Sequence, residues 1–296
     1  MKTIQVKTIN KETIKPIPLE GKQDMRPILG ESLFPEIYAN IALIAKKKSG
    51  KTTALHHILK RCAGRDTNVI FFCSTIYKDK NYVGIRNMLK KKNINFEIHT
   101  SLKEDGIDQL DELLAQLEEE AKERELAIEN GELDEEKEPE HTFEDLMNAL
   151  AKESGFTQFM SKVEPEEEKK PRKSKYRMPD YIIVLDDLSN QMKAKSLETL
   201  LKKNRHYFSK VIMSTQYIHD LKPESLKQLD YWLVYGHQPE EKLMKIYKDA
   251  DIHVDFDLFN RIYKDATSQK YSFLYIDTNN MTFRKNFNKQ YVIPDE

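Results

Sequence analysis

Ile41 to Leu59 reads IALIAKKKSGKTTALHHIL, and the order of its parts decides the fold. A short apolar run ends at Ala45, a lysine-rich loop closes on Ser-Gly-Lys-Thr, and from Gly50 onward apolar residues return at helical spacing. Strand, loop and helix in that order are the setting in which a G-x-x-x-x-G-K-[ST] loop holds phosphate. Gly50 lets the backbone approach an anion, the amides of residues 46 to 52 can point inward, and the N-terminus of the following helix favours negative charge. In this reading Lys51 reaches the β- and γ-phosphates of a nucleotide, Thr52 offers its hydroxyl to Mg²⁺, and Ser49, Gly50 and Thr53 complete the binding loop. Ala45 stands where the pattern has its first glycine. Because an L-alanine resists positive φ, the loop is expected to turn differently there. Lys46, Lys47 and Lys48 either add positive potential at the site or face solvent.

Two further strand ends fit the same site. YIIVLDDLS, Tyr181 to Ser189, is an apolar strand closing on two carboxylates, the Walker B arrangement. Asp186 is the metal-side carboxylate and Asp187 the group that orients or deprotonates an attacking water. The competing reading is an aspartate pair that caps a helix after a buried strand. KVIMSTQY, Lys210 to Tyr217, is another buried strand, and Gln216 at its end is placed to sense a γ-phosphate or position water.

Around these motifs, apolar runs alternate with helical patterns, which predicts an α/β fold with a mostly parallel sheet between two layers of helices. Strands are expected at 37–45, 68–75, 95–100, 180–187, 210–216, 231–236 and 271–277, and helices at 50–63, 82–92, 196–204, 240–249 and 255–264. The aromatic stretch from Gln269 to Glu296 is expected to complete the sheet with a terminal hairpin rather than to form a base-stacking platform. Residues 1–36 form an N-terminal segment and 37–296 the nucleotide-binding domain, interrupted by an acidic helical insert at about 102–178.

The net charge of −1 conceals a segregation. Glu104 to Lys170 hold 24 acidic and 7 basic residues, net −17, so the remaining chain carries 41 basic and 25 acidic, net +16. A basic body suits a polyanionic partner. The insert reads as a solvated helical hairpin on the sheet edge, or else as a contact surface for a partner or neighbouring subunit. No apolar run reaches the ~20 residues that span a bilayer, and the N-terminal stretch lacks the apolar core of a signal peptide, so no membrane association is expected. Cys62 and Cys73 are expected to be reduced packing residues.

Taken together, SGKTT (49–53), IIVLDDLS (182–189), LLKKNRHYFSKVIMSTQY (200–217), LKQLDYWLVYG (226–236) and YSFLYID (271–277) resemble the FtsK/HerA superfamily of P-loop ATPases. Within it, the chain looks like the poxvirus-type DNA-packaging ATPases of large DNA viruses and virophages. The resemblance covers roughly 37–100 and 180–277 and leaves the acidic insert outside. It implies a three-layer P-loop fold, ATP and Mg²⁺ as cofactors, a homo-oligomeric ring, double-stranded DNA as the moved partner and viral capsid proteins as further contacts. Host cytoplasm, a viral factory or the virion would be its location. Arg205 matches a family arginine after Walker B, which implies an arginine finger or sensor at the γ-phosphate of its own or a neighbouring subunit.

Two other classes fit the residues. A nucleotide kinase also carries a phosphate loop, although paired carboxylates suit water activation and no arginine-rich lid segment is evident. A P-loop protein that binds nucleotide only for assembly would explain Ala45, while Lys51, Thr52, Asp186 and Asp187 speak against it.

Overall fold

The computed structural model describes residues 24–104, 106–130 and 174–293. The chain divides into two compact units, Arg26–Leu126 with Glu166–Glu296, and Met1–Met25 with Ala127–Pro165. Nearly all of the second unit lies outside the described residues, including the expected second helix of the acidic insert.

Every expected strand forms; all but the edge strand at Asn95–His99 are apolar runs too short for a helix and rich in residues that pack on a pleated surface. They are β1 (Asn40–Ile44), β2 (Asn68–Cys73), β3 (Asn95–His99), β6 (Tyr181–Asp186), β7 (Ser209–Thr215), β8 (Tyr231–Tyr235) and β9 (Phe273–Asp277). β10 (Thr282–Lys285) and β11 (Lys289–Gln290) form the terminal hairpin, and β4 (Lys103–Glu104) pairs with β5 (Ile107–Asp108) in a separate ribbon. The nine-stranded sheet runs β11-β10-β9-β8-β1-β7-β6-β2-β3. Its six strands from β8 to β3 are parallel, and β9, β10 and β11 continue it antiparallel.

Strand periodicity sorts the core into two layers. On β6, Ile182 and Val184 face the layer built by α1 (Lys51–Cys62) and α2 (Lys80–Lys91). Ile183 and Leu185 face the opposite layer, which holds α3 (Gln109–Glu129), α4 (Lys195–Lys203), the short α5 (Pro223–Leu226), α6 (Glu240–Asp249) and α7 (Phe256–Ala266). The architecture is a three-layer α/β P-loop fold. Leu33 and Phe34, within the expected N-terminal segment, are buried in the α1 layer and belong to this core. Cys62 and Cys73 are free thiols buried there too. Among the described residues no helix is long and apolar enough to cross a membrane.

The acidic insert needs a correction. Its first helix, α3, is no solvated appendage on the sheet edge: Leu110, Leu113, Leu114, Leu117 and Ala121 make a buried stripe at helical spacing that packs into the same core cluster as Ile183 and Leu185. Its acidic face is tied down as well, with Glu118 accepting from Lys203 Nζ at 2.9 Å and from the Tyr207 hydroxyl at 3.0 Å, and Glu120 accepting from the Tyr181 hydroxyl at 2.6 Å. Leu117→Ala is therefore expected to lower the unfolding free energy by about 2–5 kcal/mol in urea titrations. A loss below about 0.5 kcal/mol, the size of an ordinary surface substitution, would mean that α3 is detached from the core in solution.

Candidate active site

Parallel strands bring their C-terminal ends to one edge of a sheet, and β7 lies between β1 and β6. Register sets Ile44 beside Thr215, and Asp186 beside both Ser214 and Cys73. The loop after β1, the carboxylates closing β6 and the residue after β7 therefore meet.

Ala45 extends β1. Its N–H donates to Thr215 O at 3.0 Å and its methyl group is buried in the α1 layer. Positive φ falls instead on Lys48 (62°) and Gly50 (95°), so the chain reverses later in the loop and glycine is not required at position 45. Gly50 is required twice over: besides its φ, a Cβ there would stand 3.2 Å from Tyr271 Cδ1. Gly50 caps α1, whose first turn has no acidic residue and whose last turn carries Lys60 and Arg61. Its N-terminus is thus left as an anion site.

Lys51 Nζ lies 2.7 Å from Asp186 Oδ1, with the two side chains only 15% and 3% exposed. The other carboxylate oxygen, Oδ2, accepts from the hydroxyl of Tyr82 on α2. Strand alternation explains the meeting, since Asp186 follows Ile182 and Val184 onto the α1 and α2 face. Burial raises the Tyr82 phenol far above its ordinary range, with the charge of Asp186 adding to the effect, so it remains a donor. Asp187 sits at φ 59°, its carbonyl accepting from Ser74 Oγ at 3.0 Å. The left-handed conformation costs an L-residue about 1–2 kcal/mol, least for Asp and Asn. It turns the second carboxyl out of the strand's alternation at the edge where the loop lies.

A cavity of about 1170 Å³ opens over the loop, and Gly50, Lys51, Thr52, Thr53, Asp186, Asp187 and Gln216 all line it. A smaller one of about 340 Å³ adjoins Lys51, Asp187, Ser214 and Gln216. Ser49 does not line the larger cavity; its amide donates to Lys46 O at 3.3 Å and shapes the loop. Such a site, cationic at the loop and carboxylate-lined opposite, can hold a phosphate chain and orient a water against it.

No protein-family model matches the chain, and no curated protein matches it either. Among solved structures it is similar to the genome packaging NTPase B204 from Sulfolobus turreted icosahedral virus 2 in complex with AMPPCP: 16% identity, 88% of this chain, 100% of that one, TM-score 0.46. B204, the DNA-packaging ATPase from Sulfolobus turreted icosahedral virus, gives 18% identity over 83% of this chain and 95% of its own, TM-score 0.43. EssC (ATPases 2 and 3) from Geobacillus thermodenitrificans gives 13% identity over 66% of this chain and 32% of its own, TM-score 0.39.

One expected site residue is not brought to this edge. Arg205 lies in the turn before β7, whose far end leads to Gln216, and a seven-residue strand spans about 20 Å. Its side chain is 69% exposed, 3.9 Å from Glu36 Oε2 at the opposite edge. A role for Arg205 at the γ-phosphate of its own chain is therefore ruled out by strand direction. Conversely, the sequence reading passed over Tyr82, which shares helical spacing with the buried Ile85 and Leu89 and reads as core. It took Tyr235 only as part of a strand, and Tyr271, Phe273, Asn286 and Phe287 only as part of the terminal hairpin, yet all five line the large cavity from the β8 to β10 side.

Proposed function

We propose that this protein is an ATP-hydrolysing motor, assembled as a ring, that moves double-stranded DNA into a preformed viral capsid. The observation that carries hydrolysis is the convergence of Lys51, Thr52, Asp186, Asp187 and Gln216 on one cavity at one sheet edge. Ala45 was the feature that favoured a binding-only protein, and its place at the end of β1 removes that argument. The DNA and capsid part rests on the motif resemblance and on the basic body, net +16 outside the acidic segment.

In this mechanism the triphosphate draws Lys51 away from Asp186 and onto the β- and γ-phosphates, where the amide-rich start of α1 adds to its field. Asp187 accepts a proton from the attacking water or orients it, and Gln216 holds that water from the β7 side. The Thr52 hydroxyl and the Asp186 carboxylate are hard oxygen donors lining the same cavity and fit Mg²⁺. Bound there, Mg²⁺ would neutralise charge on the phosphate oxygens. Arg205, exposed on the far edge, would act at a neighbouring copy's site rather than its own.

Tyr82→Phe removes one hydroxyl from the buried carboxylate. The Mg²⁺ concentration that half-restores ATP affinity is expected to rise about 10-fold, the usual scale for a residue supporting a metal ligand, while affinity in EDTA stays unchanged. Equal losses with and without Mg²⁺ would show that Tyr82 acts on the fold instead.

Steady-state ATP hydrolysis with and without double-stranded DNA, beside Lys51→Ala, tests the whole reading. DNA stimulation that weakens with salt and disappears in the variant is the expected result; turnover indifferent to DNA in the assembled oligomer would overturn the motor. The small cavity beside Lys51 and Asp187 is also where a kinase would seat its acceptor, so phosphate transfer to a nucleoside would favour that second reading.

A further inference from the structure

The large cavity is longer than a phosphate chain needs, and its two walls differ. On the β2 side it is lined by Thr75, Lys78, Asp79 and Asn81, where the Asp79 carboxylate is already committed to the Asn81 amide at 2.8 Å and side chain at 2.9 Å, capping α2. On the β8 to β10 side it is lined by Tyr235, Tyr271, Phe273 and Phe287, with His57 from α1. The His57 and Phe287 rings stack at 5.8 Å and 25°, and Phe287 meets Phe273 edge-on at 5.1 Å and 73°. Burial holds the His57 imidazole below its ordinary range, with Arg61 and Lys60 adding to this, so it is neutral at pH 7 and packs as an aromatic ring.

Tyr271 stands apart from this packed group. It is 57% exposed, sits at φ 69°, and lies against Gly50 at the mouth of the phosphate loop, with Lys270 Nζ 4.8 Å over its ring. A bulky residue held in the left-handed region with its side chain more than half exposed is uncommon and costs stability. Beside it, Asn286 is fixed by its neighbours: its N–H donates to Phe273 O at 3.0 Å and its Oδ1 accepts from Phe273 N–H at 3.1 Å, which leaves Nδ2 as the donor.

We propose that this wall is the nucleobase subsite, in which a purine ring stacks on Tyr271 and accepts a hydrogen bond from Asn286. The inference rests on the nucleotide reading of the phosphate loop and adds to it the residues that select the base. A flat π-system leaving the loop past Thr53 meets aromatic faces here and polar side chains on the other wall. Stacking on an aromatic side chain tolerates any large base, and a lone amide donor suits the ring-nitrogen acceptors that adenine and guanine share. ATP and GTP are therefore both accommodated, and pyrimidine triphosphates bind more weakly.

The test measures the dissociation constants of ADP, GDP, CDP and inorganic tripolyphosphate for the full chain, for Tyr271→Ala and Tyr271→Phe, and for Lys51→Ala. Tyr271→Ala is expected to weaken ADP and GDP about 10-fold, the scale of one lost base stack, and to leave tripolyphosphate unchanged, while Tyr271→Phe behaves as the parent. Equal weakening of ADP and tripolyphosphate would show that the ring only supports Gly50, and unchanged ADP would show that the base lies elsewhere; either overturns the subsite. CDP binding as tightly as ADP would overturn the purine preference. If neither ADP nor tripolyphosphate binds the parent chain, and Lys51→Ala alters nothing, the phosphate loop reading itself fails and the subsite with it.

Discussion

Lys51→Ala should reduce ATP turnover by at least about 10²–10³-fold, the usual consequence of deleting one preorganised cation or donor at developing charge. Two losses combine. A bound γ-phosphate would lose the Lys51 cation, and Asp186, 3% exposed, loses the ammonium 2.7 Å away that balances its charge. Removing one partner of a buried pair leaves the other uncompensated, which costs up to about 3–5 kcal/mol when both are fully dry. Here the lysine is 15% exposed and Tyr82 still donates to the carboxylate, so the stability loss should fall below that range. Turnover measurements and urea unfolding of the nucleotide-free protein check the two effects separately. Near-parental turnover would remove Lys51 from the chemistry.

Asp187→Asn should lower turnover by about 10²–10⁴-fold, the range attributed to a general base, while nucleotide binding persists. The backbone makes the experiment interpretable. At φ 59° asparagine is tolerated nearly as well as aspartate, so the substitution removes the charge and keeps the turn. Asp187→Ala should be equally inactive but less stable by roughly 1 kcal/mol, because alanine is poorly suited to the left-handed region. Should Asn retain activity while Ala loses it, Asp187 would be a backbone residue rather than a base. Loss of nucleotide binding in Asn would instead assign the carboxylate to holding the ligand.

Much of this was legible in the sequence because the strands other than the edge strand β3 are apolar runs buried on both faces, and such runs announce themselves. Motif spacing then placed Asp186, Asp187 and Gln216 at strand ends and Lys51 at the close of the loop after β1, and the parallel order of β1, β7 and β6 did the rest. The misreading of α3 has a simple cause. A charge count averages around a helix, whereas burial follows one stripe, and five apolar residues suffice to dock a helix whose other faces are acidic. Arg205 shows the complementary limit: its closeness in sequence to Gln216 translates into the full length of β7. Tyr82 and Tyr271 carry no motif; each matters through a neighbour distant in the chain, Asp186 for one and Gly50 for the other.

The pairing of Lys51 with Asp186 also bears on what happens between turnovers. Within the fold itself the buried Asp186 carboxylate is neutralised by the Lys51 ammonium and held by the Tyr82 hydroxyl. On the motor reading, a triphosphate that takes Lys51 would have to break that pair. The affinity observed for a triphosphate is then weaker than its contacts alone would give, by the population of chains whose lysine has already let go. On the motor reading, product release would run the same exchange backwards, with Asp186 competing for Lys51 as the phosphates leave.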